Sequence, residues 1–241
     1  MLKATKIVKR FGGLTALGGV DLTVAPGEFV GLIGPNGAGK TTLFNVLTGM
    51  YQPDSGIVEF MGRDITKLPV HKVFQAGMAR TFQVVRPFYS LTCLENVLVA
   101  YKSKFGDHGA QAAAMEALEF FNLQHKAGVS TGELNLAEKR KLELARAVVS
   151  KPKLLMLDEA MAGLNPSELD EMIGNVKRLK QDMHMTIIAV EHIMQVIMSL
   201  SDRIIVLNQG LIIADGKPAA VAANEEVIKA YLGDDADAQS E

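Results

Sequence analysis

The apolar and polar positions of this chain follow two rhythms. The opening segment, "KATKIVKRF", alternates residue by residue, as a half-buried strand does. "VDLTVAPGEFVGLIG" carries apolar stretches on either side of an "APGE" turn, and its second part, "FVGLIG", reads as a short buried strand closed by glycine. Past Lys40 the spacing in "TTLFNVLTGM" becomes helical, and "YQPDSG" ends that helix as a loop. "IVEFMGRDI" predicts a hairpin arm. From about Leu91 to Ser150 the pattern is helical, through "LTCLENVLVAY", "AQAAAMEALEFFN" and "LNLAEKRKLELARA". "KLLMLDEA" and "MTIIAVEH" are further buried strands, each followed by a helix. "DRIIVLNQGLIIADGKP" predicts a hairpin and "PAAVAANEEVIKAYLG" a final helix. The closing "DDADAQSE" is acidic and polar, so a disordered tail is expected over about 234–241.

Strands that alternate with helices predict an α/β fold on a mainly parallel sheet, with an antiparallel β portion at the N-terminus. The helical block at about 91–150 reads as a subdomain inserted into one domain spanning 1–241. No internal repeat is present.

Composition narrows the class. A chain of 241 residues, nearly half of them apolar, buries a real core as a single domain. Twenty-five Lys and Arg against 27 Asp and Glu leave no basic footprint, so no nucleic-acid partner is expected. Cys93 is the single cysteine, which excludes an internal disulfide and points to a reducing compartment, with a buried inert thiol as its default role. No apolar run reaches membrane-spanning length, and the N-terminus lacks the layout of a signal peptide. Work at a membrane would therefore rest on other subunits for the spanning. Twelve methionines without tryptophan are read as core filling.

The chemistry starts at "GPNGAGKTT", which satisfies the phosphate-loop pattern from Gly34 to Thr41 after a buried strand and before a helix. Its glycines, Gly37 and Gly39 with Asn36 and Ala38 between and beside them, let backbone N–H groups curl around phosphates at a helix N-terminus. Lys40 would reach the phosphates as a point charge, Thr41 would ligate Mg²⁺ and Thr42 adds a second hydroxyl. "LLMLDEA" ends an apolar strand in two carboxylates: Asp158 fits the Mg²⁺ shell and Glu159 a general base for water. His192 follows the apolar strand in "IIAVEH", where it is either an ordinary surface imidazole or a group reaching a γ-phosphate. Gln83 in "ARTFQVVRPF" lies between the sheet portion and the helical block, unremarkable alone but able to ligate Mg²⁺ or water. "LNLAEKRKLELARA" alone is a solvated amphipathic helix with Asn135 as N-cap and Glu138 placed for a capping box.

Together these residues resemble the ATP-binding subunit of ABC transporters over essentially the whole chain. "GPNGAGKTT" matches the Walker A motif, Gln83 the Q-loop, "LLMLDE" the Walker B with Glu159, "AGLN" the D-loop and His192 the switch histidine. The resemblance implies a P-loop NTPase fold of the ABC type and makes Phe11 the aromatic that stacks on adenine. It implies ATP with Mg²⁺, hydrolysis, and a head-to-tail dimer of identical or paralogous motor subunits. The expected partners are membrane-spanning permease subunits, received near Gln83, Val85 and Phe88, and a periplasmic or surface solute-binding protein. The expected place is the cytoplasmic face of the cell membrane, peripherally. "RFGGLTAL", "ARTFQVVRPF", "MAGLNP" and "VEHIMQVIMSLSDRIIVLNQG" look like the branched-chain amino acid importers, whose relatives handle other small polar solutes.

The same resemblance places the signature helix, typically beginning LSGGQ, at Leu134–Glu138. Here Asn135 replaces Ser, Ala137 replaces a Gly and Glu138 replaces Gln. In the family this helix start faces the γ-phosphate bound to the opposite subunit. Asn135 and Ala137 are thus candidate nucleotide contacts, and Glu138 is the discordant member because a carboxylate repels phosphate unless it caps the helix. Rival readings are an exporter of lipid-like cargo, a soluble ABC-type ATPase without transport, and a binding-only regulator. The acidic balance argues against the second, and Lys40, Asp158, Glu159 and His192 argue against the third.

Overall fold

A computed structural model of the 241-residue chain describes the backbone of residues 1–237 and the side chains of residues 1–231. In chain order, strands β1 (Leu2–Phe11), β2 (Leu14–Val24) and β3 (Phe29–Ile33) lead into helix α1 (Lys40–Leu47). Then come β4 (Ser55–Phe60), β5 (Arg63–Asp64) and α2 (Val70–Ala76). The middle holds β6 (Met78–Arg80), α3 (Cys93–Phe105), α4 (Ala110–Phe120), α5 (Leu136–Val148), β7 (Leu154–Asp158) and α6 (Pro166–Asp182). The chain closes with β8 (Thr186–Val190), α7 (Met194–Leu200), β9 (Arg203–Asn208), β10 (Leu211–Gly216), α8 (Pro218–Ala222) and α9 (Glu225–Asp237).

Two compact bodies result: Met1–Ala76 with the segment from Thr186 onward, and Gly77–Met185. In the first, β1 pairs antiparallel with β2 and β4, and β4 with β5, which is the expected antiparallel N-terminal portion. A second set of strands centres on β3, which runs parallel to both β8 and β9. All five residues of β3 and of β8 are buried, as befits parallel strands covered on both faces. Strand β10 turns back antiparallel on β9, so the predicted hairpin is present. Phe29, Phe44, Leu32, Leu43 and Leu47 fill this core.

The second body pairs β6 parallel with β7, from Met78↔Leu154 to Arg80↔Met156. Helices α3, α4 and α5 occupy the stretch expected to be helical, and α3 contacts both α4 and α5. Each long helix here except α4 begins with a reciprocal capping box: Thr92 with Glu95, Asn135 with Glu138, and Asn165 with Glu168. Cys93 is buried and free, the inert role its isolation suggests, and burial pushes its thiol up.

Two expectations are revised. The predicted single final helix is two, because the Asn224 side chain accepts the N–H groups of Glu226 and Val227 and starts α9 anew. Helix α9 also continues through 234–237, the first half of the expected disordered tail; residues 238–241 lie outside those described. Among the described residues no helix is long and apolar enough to cross a membrane.

Arg203 of β9 joins three segments of the first body. It reaches Glu28 just before β3 (Nε to Oε1, 2.7 Å), both carboxylate oxygens of Asp215 in β10, and the Thr23 carbonyl. Burial alone would push the Glu28 carboxyl up, but the Arg203 guanidinium and the Ala25 N–H hold it below the usual carboxylate range. A carboxyl lowered on folding contributes stability above its unfolded pKa, which is lost as pH falls through the folded one. Urea midpoints at pH 7 and pH 3.5 should therefore fall further for the wild type than for Glu28→Gln, and equal falls would remove Glu28 from the acid response.

Candidate nucleotide site

Within the first body, β3 delivers the chain at Ile33 into the loop Gly34–Gly39, and Lys40 opens α1. Gly34 (φ +150°) packs so tightly on β9 that a Cβ there would stand 1.9 Å from the Leu207 carbonyl oxygen. At Gly39 (φ +103°) a Cβ would stand 2.6 Å from the Ala16 oxygen, whereas at Gly37 (φ +75°) it would meet only open space. The loop is thus pressed against β2 and β9 at its two ends and bare at its middle, with Asn36, Gly37 and Thr41 exposed and Ala38 buried. Gly210 in the β9–β10 turn donates its N–H to the Ala38 oxygen at 2.9 Å and accepts that of Gly18 at 2.9 Å.

Lys40 is buried, and its ammonium donates to the carbonyls of Gly34 (2.6 Å) and Pro35 (2.8 Å), spanning the loop from within. Gly39 is the N-cap of α1 and supplies no side-chain acceptor, so the first N–H groups of the helix are not capped by it. Backbone donors, a helix N-terminus and a buried ammonium together make a site for a multiply charged anion. Thr42, half-buried, follows the exposed Thr41 in the first turn.

Phe11 ends β1 with its ring 44% exposed, held edge-on by Tyr51 at 5.4 Å and approached by the Lys9 ammonium at 5.4 Å. An aromatic face left open beside a phosphate loop's own β portion suits a planar base. His192 is exposed two residues past Val190, whose partner Leu32 lies two residues before Gly34. The imidazole and the loop therefore leave the parallel strands at the same end. Tyr231 of α9, which the sequence did not flag, also belongs here: burial pushes its phenol up, and a hydrogen bond from the Gly34 backbone pulls it back.

Within the second body, β7 ends in Asp158 and Glu159. Asp158 is 3% exposed and cannot lie there uncompensated; Arg80 Nη2 meets its Oδ2 at 2.5 Å. Its N–H donates to the Thr81 hydroxyl at 3.1 Å. Glu159 adopts φ +50°, a left-handed turn that stops the strand at once. Gln83 Nε2 donates to Glu159 Oε2 at 2.8 Å, so two candidates 76 residues apart meet directly.

The approach to Gln83 is fixed by residues the sequence reading passed over. The Phe82 N–H donates to Glu143 Oε1 at 2.8 Å, Arg140 Nη1 donates to the Phe82 oxygen at 3.3 Å, and the Thr81 N–H reaches the Met156 oxygen at 2.9 Å. Burial pushes the Glu143 carboxyl up, against the pull of the Phe82 N–H and of Arg140. Arg80 stands three residues before Gln83 and Arg140 and Glu143 are i, i+3 on α5, but no sequence pattern shows which backbone groups they meet.

Asn135 caps α5: its side chain accepts the Glu138 N–H at 2.9 Å, and Glu138 Oε2 accepts the Asn135 N–H at 3.0 Å. Asn135 is exposed and Ala137 buried. A Cβ on Gly163 would stand 3.0 Å from Leu136 Cδ2, so the "AGLN" turn packs on the start of α5. No group of three or more His, Cys, Asp or Glu suited to a metal occurs among the described residues.

The family profile described as ABC transporter matches residues 17–162, and one described as branched-chain amino acid ATP-binding cassette transporter matches 212–237. The high-affinity branched-chain amino acid transport ATP-binding protein BraF of Pseudomonas aeruginosa is 42% identical, over 97% of this chain and 98% of that protein. LivG of Escherichia coli K12, with the same description, is 40% identical over the same shares. The crystal structure of the ADP conformation of MJ1267, an ATP-binding cassette of an ABC transporter, superposes with a TM-score of 0.87 at 32% identity, covering 97% of this chain and 98% of that one.

The contrast between the loop glycines is testable. Gly34→Ala should destabilise severely or fail to fold, since its Cβ would overlap a backbone carbonyl of β9. Gly37→Ala should cost only the left-handed backbone penalty, about 1–2 kcal/mol. Urea unfolding of both variants checks this; similar losses would refute the packing account.

Proposed function

The chain belongs to the ABC transporter family, and from that premise we propose that it is the ATP-hydrolysing motor subunit of an importer for branched-chain amino acids. What carries this reading is likeness over the whole chain to proteins described as branched-chain amino acid transport ATP-binding proteins, together with a carboxylate pair ending β7 and a phosphate loop after β3. Phe11 stacks on the base. Asn36, Gly37, Ala38 and Gly39 wrap the phosphates with backbone N–H groups, Lys40 neutralises them, and Thr41 and Thr42 add hydroxyls.

The donor set fits Mg²⁺, which takes one or two protein oxygens with phosphates and water rather than a cage of side chains. Thr41, Gln83 and Asp158 would hold it, and it would supply positive charge to offset that of the phosphates. Arg80 holds Asp158 through Oδ2. Glu159 accepts the proton of the attacking water, Gln83 orients that water, and His192 contacts the γ-phosphate. The capped start of α5, through Asn135 and Ala137, meets the γ-phosphate held by a second motor subunit, identical or paralogous.

The motor works from the cytoplasmic face of the membrane, peripherally, with permease subunits that span it and a solute-binding protein that delivers the cargo. Support for the docking surface comes from the segment around Gln83. Phe82, Val84, Phe88 and Tyr89 are exposed apolar side chains there, with Arg146 stacked on Phe88 at 5.0 Å. Val85, the position the sequence suggested, is half-buried, and its neighbour Val84 offers more surface.

Replacing Glu159 with Gln should reduce turnover by about 10²–10⁴-fold, the usual loss for a general base, while nucleotide binding persists. Hydrolysis assays paired with equilibrium nucleotide binding test this, and undiminished hydrolysis would remove Glu159 from the role. Charged residues at Val84 and Phe88 should abolish co-purification with the permease subunits without changing ATP affinity. Normal co-purification would displace the docking surface.

A further inference from the structure

Glu138 stands where the family places a glutamine, in the helix start proposed above to meet a γ-phosphate. Its carboxylate is ionised at neutral pH: burial alone would push it up, but the Lys126 ammonium and the Asn135 N–H hold it below the usual carboxylate range. An ionised carboxylate one turn into the helix opposes an approaching phosphate. The structure shows how that charge is handled. Oε2 is turned back onto the Asn135 N–H at 3.0 Å, and Oε1 is paired with the Lys126 ammonium. Both oxygens are thereby engaged.

Lys126 is well placed to do this without closing the site. It ends a short 3₁₀ turn, Gln124–Lys126, whose backbone is fixed by hydrogen bonds from the Lys126 N–H to the Leu123 oxygen (2.9 Å) and from the Val129 N–H to the Lys126 oxygen (2.9 Å). The pair is partly buried, so solvent screens it less than a surface pair. Asn135 itself remains exposed beside it.

We propose that Lys126 is a positioning residue for nucleotide-driven dimerisation: it cancels the Glu138 charge and holds the carboxylate on the helix cap, so that α5 presents an uncharged, phosphate-receptive start. This rests on the reading that α5 meets nucleotide across a dimer. The departure from glutamine is then compensated within the chain, by a lysine 12 residues earlier.

The test uses the full chain in the Glu159→Gln background, with ATP-dependent dimerisation followed by sedimentation and ATP binding to the monomer measured alongside. Lys126→Met should weaken dimerisation at least tenfold, and Lys126→Met with Glu138→Gln should restore it to within about threefold of the parent. Were Lys126 only a staple between the turn and α5, the double variant would stay as weak as the single one, because the ion pair is missing from both, and the proposal would fall. It falls equally if Lys126→Met dimerises like the parent. Asn135→Asp separates this from the underlying reading: if it too dimerises normally, α5 does not meet nucleotide at all, whereas if it alone is impaired, the reading stands and Lys126 has no part. Should Lys126→Met not fold, Lys126→Gln, which keeps a hydrogen bond but no charge, is read by the same outcomes.

Discussion

Burying Lys40 after β3 and Asp158 at the end of β7 takes two charges out of water, and much of the surrounding architecture answers that cost. Each body solves the problem locally. Lys40 donates to carbonyls of its own loop, so the ammonium is satisfied by backbone and also fixes the curvature of that backbone. Asp158 is met by a guanidinium from the adjacent parallel strand, which holds one of its carboxylate oxygens. A loop that lost its lysine, or a strand end that lost its arginine, would lose both charge compensation and shape.

Much of this was legible in the chain. Alternation and buried apolar runs located β1, β3, β7 and β8, and the strand–loop–helix context read around "GPNGAGKTT" is the one the fold has, β3 leading through the loop into α1. The capping pair Asn135 and Glu138 was readable because a capping box is a local rule with a three-residue span. What escaped was long-range. Arg80 and Asp158 are 78 residues apart, and Phe82 and Glu143 are 61 apart. Nothing local distinguishes such charged residues from a solvated face. The break before α9 was missed for another reason: Asn224 sits inside an alanine-rich helical rhythm, and periodicity outweighed a cap that only the backbone path reveals.

The capping boxes show how one local device serves different ends. At Thr92 and Asn165 the acid at the third position satisfies backbone donors at a helix start and complements the helix dipole. At Asn135 the same device stands where the proposed function has the helix start meet phosphate, and there an acid has a second consequence, because its charge extends beyond the helix it stabilises. A cap alone leaves that charge in place. Glu95 and Glu168 turn back on Thr92 and Asn165, as Glu138 does on Asn135, but Glu138 is paired with the Lys126 ammonium as well.

Glu159 is strained at the point where β7 ends. A non-glycine residue at φ +50° costs about 1–2 kcal/mol, and such outliers persist where surrounding structure over-determines them. Here the determinants are visible: β7 is buried through Asp158 and paired with β6 as far as Met156, and Gln83 takes the Glu159 carboxylate as soon as the strand ends. Along an extended strand, consecutive side chains point to opposite faces, so two adjacent carboxylates would be separated by the sheet. The left-handed turn breaks that alternation between a buried acid paired with arginine and a half-buried acid paired with an amide. Two chemically identical groups, one residue apart, are thus given different environments. That difference is what the roles proposed for them, a metal-shell acid and a general base, would require of one dipeptide.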